Sequence, residues 1–290
     1  MGRGFRTVVA SALGLTTASI GLWAGPGSAS AADAAGTVPT PDHVIVVVFE
    51  NHGYDQVIGS SNAPYINSLK SGGANLTDSH GETHPSQPNY FALFSGSTQG
   101  ITDDSCYTPA FSSAPNLASE LTAAGKSWAS YNESLPSQGS TVCSSGEYAQ
   151  KHNPWFGFSN VPTSSAHTFG QFPSDYSKLP QVSFVTPNLC SDMHDCSVRT
   201  GDTWLKDNLG AYATWAKTHN SLLAITFDED NGTGSNKIPT VLYGQQVAPG
   251  SSSSVTYHHY DLLRTIEDMY GTSHAGQAAN ATDITGVWAS

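Results

Sequence analysis

The sequence predicts an α/β fold, a mostly parallel central sheet covered by helices on both faces. Near-continuous apolar runs such as His43 to Phe49 and Leu222 to Phe227 read as strands buried on both sides. Helical segments alternate with them along most of the chain, the order that builds parallel crossover units. Three of the strands end in polar clusters, Glu50-Asn51, Asp192 to Asp195 and Asp228-Glu229-Asp230. Ligands of open α/β sheets bind just beyond the carboxyl ends of strands, so these clusters mark the expected functional edge.

Taken in order, the chain opens with Arg3 and Arg6, an apolar or small-residue run from Val8 to Trp23, and Ala29-Ser30-Ala31. That pattern reads as a signal peptide over 1–31, hence a secreted protein, with 32–42 as a flexible lead-in and 43–290 as a single domain. After the strand His43 to Phe49, Ala63 to Leu69 suggests a helix ended by Gly72-Gly73. Ser86 followed by Pro88 and an apolar run suits a helix capped by the serine. A second helix runs from Asn116 to Ala124, stopped by Gly125, and Ser127 to Tyr131 is a strand candidate. Residues 133–179 dissolve into Ser, Pro, Gly and aromatics, and so long a loop is expected to form a lid or rim over the site. Regularity returns with the strand Gln181 to Thr186, a helix capped by Asp202 and running to about Thr218, the strands Leu222 to Phe227 and Ile238 to Tyr243, and an amphipathic helix Tyr260 to Tyr270 preceded by His258-His259.

The formal charge of −12 argues against nucleic acid as a partner, since phosphate backbones select basic surfaces. A phosphate ester substrate remains open, because cations held by carboxylates reverse the local sign inside a cleft. No stretch after the leader is long and apolar enough for stable membrane insertion, and a monomer is expected. Of the four cysteines, Cys190 and Cys196 can close a small loop and Cys106 can pair with Cys143, although spacing alone does not fix the connectivity. No C-x-x-C pair suggests a Cys metal site.

Glu50, Asn51, Asp192, Asp228 and Glu229, with Ser86 and His259, form a set of oxygen and imidazole donors suited to one or two divalent ions such as zinc, manganese or calcium. Two ions would clamp the attacking and leaving oxygens of a phosphoryl displacement. Taken singly, Ser86 could be only a cap, Asp228-Glu229-Asp230 only a polar turn, and His258-His259 only the cover of a helix end. Glu50 resists that reading, because a carboxylate directly after an apolar strand is desolvated. Lys151-His152 reads as structural or substrate-facing.

Four ordered segments carry a resemblance: Val48-Phe49-Glu50-Asn51-His52-Gly53-Tyr54-Asp55, Thr83-His84-Pro85-Ser86-Gln87-Pro88-Asn89-Tyr90, Phe227-Asp228-Glu229-Asp230 and His259 to Asp268. Together they resemble the secreted bacterial phosphoesterase family of acid phosphatases and phospholipases C, within the alkaline phosphatase-like superfamily. The resemblance implies an alkaline phosphatase-like α/β/α sandwich. It also implies Ser86 as nucleophile, Asn89 as a phosphate-binding residue, and Glu50, Asp228 and Glu229 as holders of the metal that activates Ser86. Asp192, His194 and His259 would face the leaving group or a second metal. Asp192 and His194 are two residues apart where the superfamily's second metal takes an Asp and a His four apart, which leaves His194 as a proton donor.

The expected function is a metal-dependent phosphomonoesterase working through a phosphoserine on a small phosphate ester or phospholipid. A phospholipase C or phosphodiesterase on the same site is the alternative, and a non-catalytic secreted metal-binding module is the alternative of another class. A metal-free serine hydrolase lacks support, because no G-x-S-x-G elbow occurs.

Overall fold

In a computed structural model, residues 37–290 are described together with residues 1, 2, 4, 5 and 7. The expected signal peptide, apart from those five residues, and positions 32–36 lie outside the described residues. Residues 37–42 are not a loose lead-in. Asn220 Nδ2 donates to Thr40 O at 3.1 Å, the Asp42 amide donates to Asn220 O at 2.6 Å, and Val38 packs against the core.

In chain order the elements are β1 His43–Phe49, α1 Tyr54–Val57, α2 Pro64–Gly72, β2 Ala74–His80, α3 Ser86–Ser95, α4 Leu117–Ala123, β3 Trp128–Asn132, β4 Ser144–Ser145, β5 Tyr148–Ala149, β6 Ala166–Thr168, β7 Val182–Thr186, α5 Val198–Ala216, β8 Ser221–Phe227, β9 Lys237–Gly244, β10 Ser251–Ser253, β11 Tyr257–His258 and α6 His259–Tyr270. The main sheet runs β10-β2-β9-β8-β1-β7-β3-β6, with β11 also on β2. β1 lies between β8 and β7 and is parallel to both.

The period-two alternation of β1 splits the core between the two faces of the sheet. Val44, Val46 and Val48 join the side chains of α3, α4 and α6, while Ile45, Val47 and Phe49 join those of α2 and α5. This is the layered α/β/α arrangement that the alternating elements predict.

Two departures from the sequence reading concern strands. Ile238 to Tyr243 is a strand, but β9 runs antiparallel to both neighbours, β8 and β2. β2 itself has no apolar run; only Ala74, Leu76 and Ser79 are buried along it, so its pairing, not its composition, makes it a strand.

Asp202 does not cap its own helix. α5 starts at Val198 with Ser197 as cap, and buried Asp202 instead accepts from the Tyr65 and Ile66 amides at 3.0 and 2.8 Å, capping α2 from across the interface. A side-chain cap of this kind contributes about 1 kcal/mol.

The segment 133–179 is more than a lid. Its stretch 148–158 is largely buried, and Tyr148, Trp155, Phe156 and Phe158 pack into the core with Phe91 and Phe94 of α3. Both cysteine pairings are formed, Cys106–Cys143 and Cys190–Cys196.

Candidate active site

The parallel register that sets Phe49 opposite Phe227 brings the residues after β1 and β8 to one sheet edge. Glu50 and Asp228 are both fully buried there. Asn51 adopts φ 50°, a left-handed conformation that asparagine tolerates. Its amide N–H donates to Asp228 Oδ1 at 3.1 Å, tying the two strand ends together.

Ser86 is the first residue of α3 and Pro85, not the serine, is the cap residue. The first-turn amide of Gln87 is capped from a distant loop, donating to Asp104 Oδ1 at 2.9 Å. That frees the Ser86 hydroxyl, which donates to Glu50 Oε2 at 2.9 Å and lies 3.1 Å from both Asn51 Oδ1 and Glu229 Oε1. The outer oxygen of Glu229 is held by His84 Nδ1 in a short ion pair.

Glu50 reaches a second group with its other oxygen. His152 Nε2 lies 3.1 Å from Glu50 Oε1 and its Nδ1 lies 3.1 Å from Asp192 Oδ2. Neither His152 Nε2 nor Asp192 Oδ2 makes a hydrogen bond of proper geometry, so these atoms converge without satisfying one another. The ring is fixed by stacking on Tyr90, centroids 4.9 Å apart, whose hydroxyl also donates to Glu50 Oε1. Asp192 is presented by a loop stapled by Cys190–Cys196, in which Met193, at φ 81°, is buried against Gly201. A Cβ at Gly201 would meet Met193 Cγ at 2.4 Å, so the close approach requires glycine.

The electrostatics are dominated by desolvated acids. Burial, and then the charges of Asp228 and Asp192, push the Glu50 carboxyl well above the usual range. Burial and the neighbouring Glu229 do the same to Asp228, burial raises Asp192 to about 7, and burial raises Glu229. The His152 imidazole is held far below its ordinary value by burial and by Lys151. Carboxylates so crowded stay ionised together only with a cation among them.

The buried group Glu50, His152 and Asp192 could hold a metal ion. Glu50, Asn51, Ser86, Asp228, Glu229 and Asp192 are brought together. His259 is buried nearby, but its Nε2 lies 2.6 Å from the Asp228 carbonyl, a contact that orients the backbone behind the cluster. Asn89 is engaged in the loop before α3: its Oδ1 accepts from the Glu82 and Thr83 amides, and its Nδ2 donates to Thr83 O and Pro85 O. His194 stands at the rim, with Nε2 3.2 Å from Lys151 Nζ and Nδ1 2.6 Å from Asp195 Oδ1. Sequence reasoning gave His152 no ligand role and passed over His84 and Tyr90. His84 and Tyr90 flank Ser86 in the quoted segment and were discoverable from it; His152 sits in an irregular stretch with no periodic signal.

The sequence profile of the Phosphoesterase family matches residues 60–273. The chain belongs to the Phosphoesterase family. As a phosphoesterase it is a phosphoric ester hydrolase. It is 51% identical over 258 residues to the phosphatidylinositol-3-phosphatase of Mycobacterium tuberculosis, covering 88% of this chain and 85% of that protein. It is 30% identical over 271 residues to a probable acid phosphatase of Kluyveromyces lactis, covering 83% of this chain but 63% of the fungal protein. Among solved structures, a Vibrio parahaemolyticus protein in the alkaline phosphatase superfamily superposes with TM-score 0.60 at 12% identity, over 86% of this chain and 71% of that one. The lipoteichoic acid synthase LtaP of Listeria monocytogenes gives TM-score 0.58 at 12% identity, over 87% and 77%. At such identities the likeness is one of fold, and the phosphoesterase shares the superfamily's α/β architecture.

Proposed function

We propose that the protein is a secreted, metal-dependent phosphomonoesterase that works through a phosphoserine at Ser86. The observation that carries the reading is the Ser86 hydroxyl donating to Glu50 amid a nest of buried oxygens.

The donor set fits a divalent cation. The Asn51 side-chain amide lies 3.1 Å from Ser86 Oγ, beside Glu50 and Glu229 in the same cluster. Asp228 Oδ2 is buried without a partner, which fits the same conclusion. Glu50, Asn51, Ser86, Asp228 and Glu229 would hold one ion, and Glu50, His152 and Asp192 a second. When bound, such an ion supplies positive charge that favours the deprotonated serine and offsets charge on the phosphoryl oxygens.

The chain's own residues do the rest. Glu50 Oε2 orients the Ser86 hydroxyl, whose proton passes to solvent as the serine oxygen bonds to phosphorus and the ester oxygen departs. Asn89 holds the loop before α3, and so the approach of Ser86, in place. His194, backed by Asp195, protonates the leaving oxygen, and water then hydrolyses the phosphoserine.

Monoester preference is supported by the names of the relatives, phosphatases in both bacteria and fungi. Export is supported by two disulfides and by the leader-like sequence of residues 1–31; among the described residues no helix is long and apolar enough to cross a membrane. The test is turnover of para-nitrophenyl phosphate, bis-para-nitrophenyl phosphate and phosphatidylcholine by the wild type and Ser86→Ala. The expected result is monoester hydrolysis that the variant loses by at least about a thousandfold, with its melting curve retained. Preferred hydrolysis of phosphatidylcholine contradicts the monoester assignment, and substantial activity in Ser86→Ala contradicts the nucleophile.

A further inference from the structure

Any ion in the acidic nest is shared among the carboxylates that hold it, and the side chains of the nest itself are negative, on a chain of net charge −12. Attack on a phosphomonoester dianion calls for a positive group beside the serine that can meet a phosphoryl oxygen. His84 is engaged by Glu229 and Asp230. Lys151 is the ammonium the site holds among the described residues: its Nζ donates to Asp104 Oδ2 at 2.9 Å and lies 3.2 Å from His194 Nε2. Its chain neighbour His152 is the imidazole lodged between Glu50 and Asp192.

Asp104 supplies the decisive geometry. One carboxylate oxygen takes the Lys151 ammonium and the other takes the backbone N–H of Gln87, the residue directly after Ser86. A single trigonal anion thus spans a lysine and the amide beside the nucleophile, a pair of contacts that two oxygens of a phosphoryl group can also make. The turn carrying Asp104 is itself clamped to α3, since Gln87 Nε2 donates to Asp103 O and Ser105 O at 2.8 and 3.0 Å. On its other side Lys151 is steered by His194. A lysine only donates, so His194 Nε2 accepts from it while Nδ1 faces Asp195; once Lys151 turns to a phosphoryl oxygen, Nε2 is released to take a proton from solvent and pass it to the leaving oxygen.

We propose that Lys151 is the residue that selects phosphomonoester dianions, its ammonium taking a non-bridging phosphoryl oxygen beside Ser86, and that Asp104 is the positioning residue that holds Lys151 there. The inference rests on the reading of Ser86 as the nucleophile. A monoester dianion carries two charges on its non-bridging oxygens and a diester carries one, so removing the ammonium weakens the monoester more.

The test compares wild type, Lys151→Met, Lys151→Arg and Asp104→Asn on para-nitrophenyl phosphate and methyl para-nitrophenyl phosphate, with calorimetric titration of inorganic phosphate alongside. Loss of one charged hydrogen bond predicts that Lys151→Met lowers monoester kcat/KM and phosphate affinity by about 10–100-fold, while the diester changes far less. Lys151→Arg recovers part of the loss, and Asp104→Asn raises the monoester KM more than it lowers kcat. An equal loss on both esters, or unchanged phosphate affinity in Lys151→Met, overturns the assignment. A wild type that hydrolyses neither ester sinks the nucleophile reading instead, and the phosphate titration then still decides the role of Lys151.

Discussion

His152 Nε2 lies 3.1 Å from Glu50 Oε1, and no hydrogen bond joins the two. The buried Glu50, His152 and Asp192 could hold a metal ion, with one ring nitrogen of His152 as its donor. His152→Ala should therefore weaken divalent metal affinity by at least about tenfold, measured by competition with a chromogenic chelator. Unchanged affinity in a folded variant would remove His152 from the ligand set.

Chelation should abolish monoester turnover and lower the melting temperature, because Glu50, Asp228 and Asp192 are buried beside one another. Restoring a divalent ion at about 100 times its dissociation constant should return about 2.7 kcal/mol of stability. A thermal scan with and without chelator reads this directly, and identical curves would argue that the acids are held by protons alone.

The Cys106–Cys143 bridge joins the turn that bears Asp104 to the stretch leading to Lys151 and His152. Replacing both cysteines with alanine should cost about 2–5 kcal/mol of stability. The same change should raise the monoester KM, since the Lys151–Asp104 ion pair then bridges two segments no longer covalently joined. Denaturant titration and steady-state kinetics on the double variant check both effects.

A pH effect on stability originates away from the site. Between α4 and α6, burial, with Glu120 adding to it, raises the Glu267 carboxyl from 4.5 to about 9, and Glu120 is raised by burial as well. A folded-state value above the unfolded one means the protonated acid favours the fold, so the stabilisation is complete below 4.5 and is lost as pH climbs toward about 9. The wild type should melt lower at about pH 9 than at about pH 5, and Glu267→Gln should flatten that slope, each 1 kcal/mol moving the midpoint by about 2–4 °C. An unchanged slope in Glu267→Gln would place the pH dependence elsewhere.

Much of the site was legible because its chemistry follows directly on strong local patterns. An apolar strand that runs straight into Glu50-Asn51, or into Asp228-Glu229, announces carboxylates at a buried sheet edge. Ser86 was legible as the start of a helix, but its role as cap was not borne out, because Asp104 fills that role from a loop whose position no local rule encodes. The same limit hid His152, which is placed by stacking on Tyr90, and β2, which is a strand because β9 and β11 pair with it. Asp202 was read correctly as a capping residue and assigned to the wrong helix, since the α2 amides it serves are far away in sequence.

The central claim is that the Ser86 oxygen, and not water, attacks phosphorus first. The stereochemical course of hydrolysis tests it most directly, using a monoester made chiral at phosphorus with sulfur and oxygen isotopes. Two successive in-line displacements through a phosphoserine predict net retention of configuration. Net inversion would mean a single displacement by water, and would contradict the account.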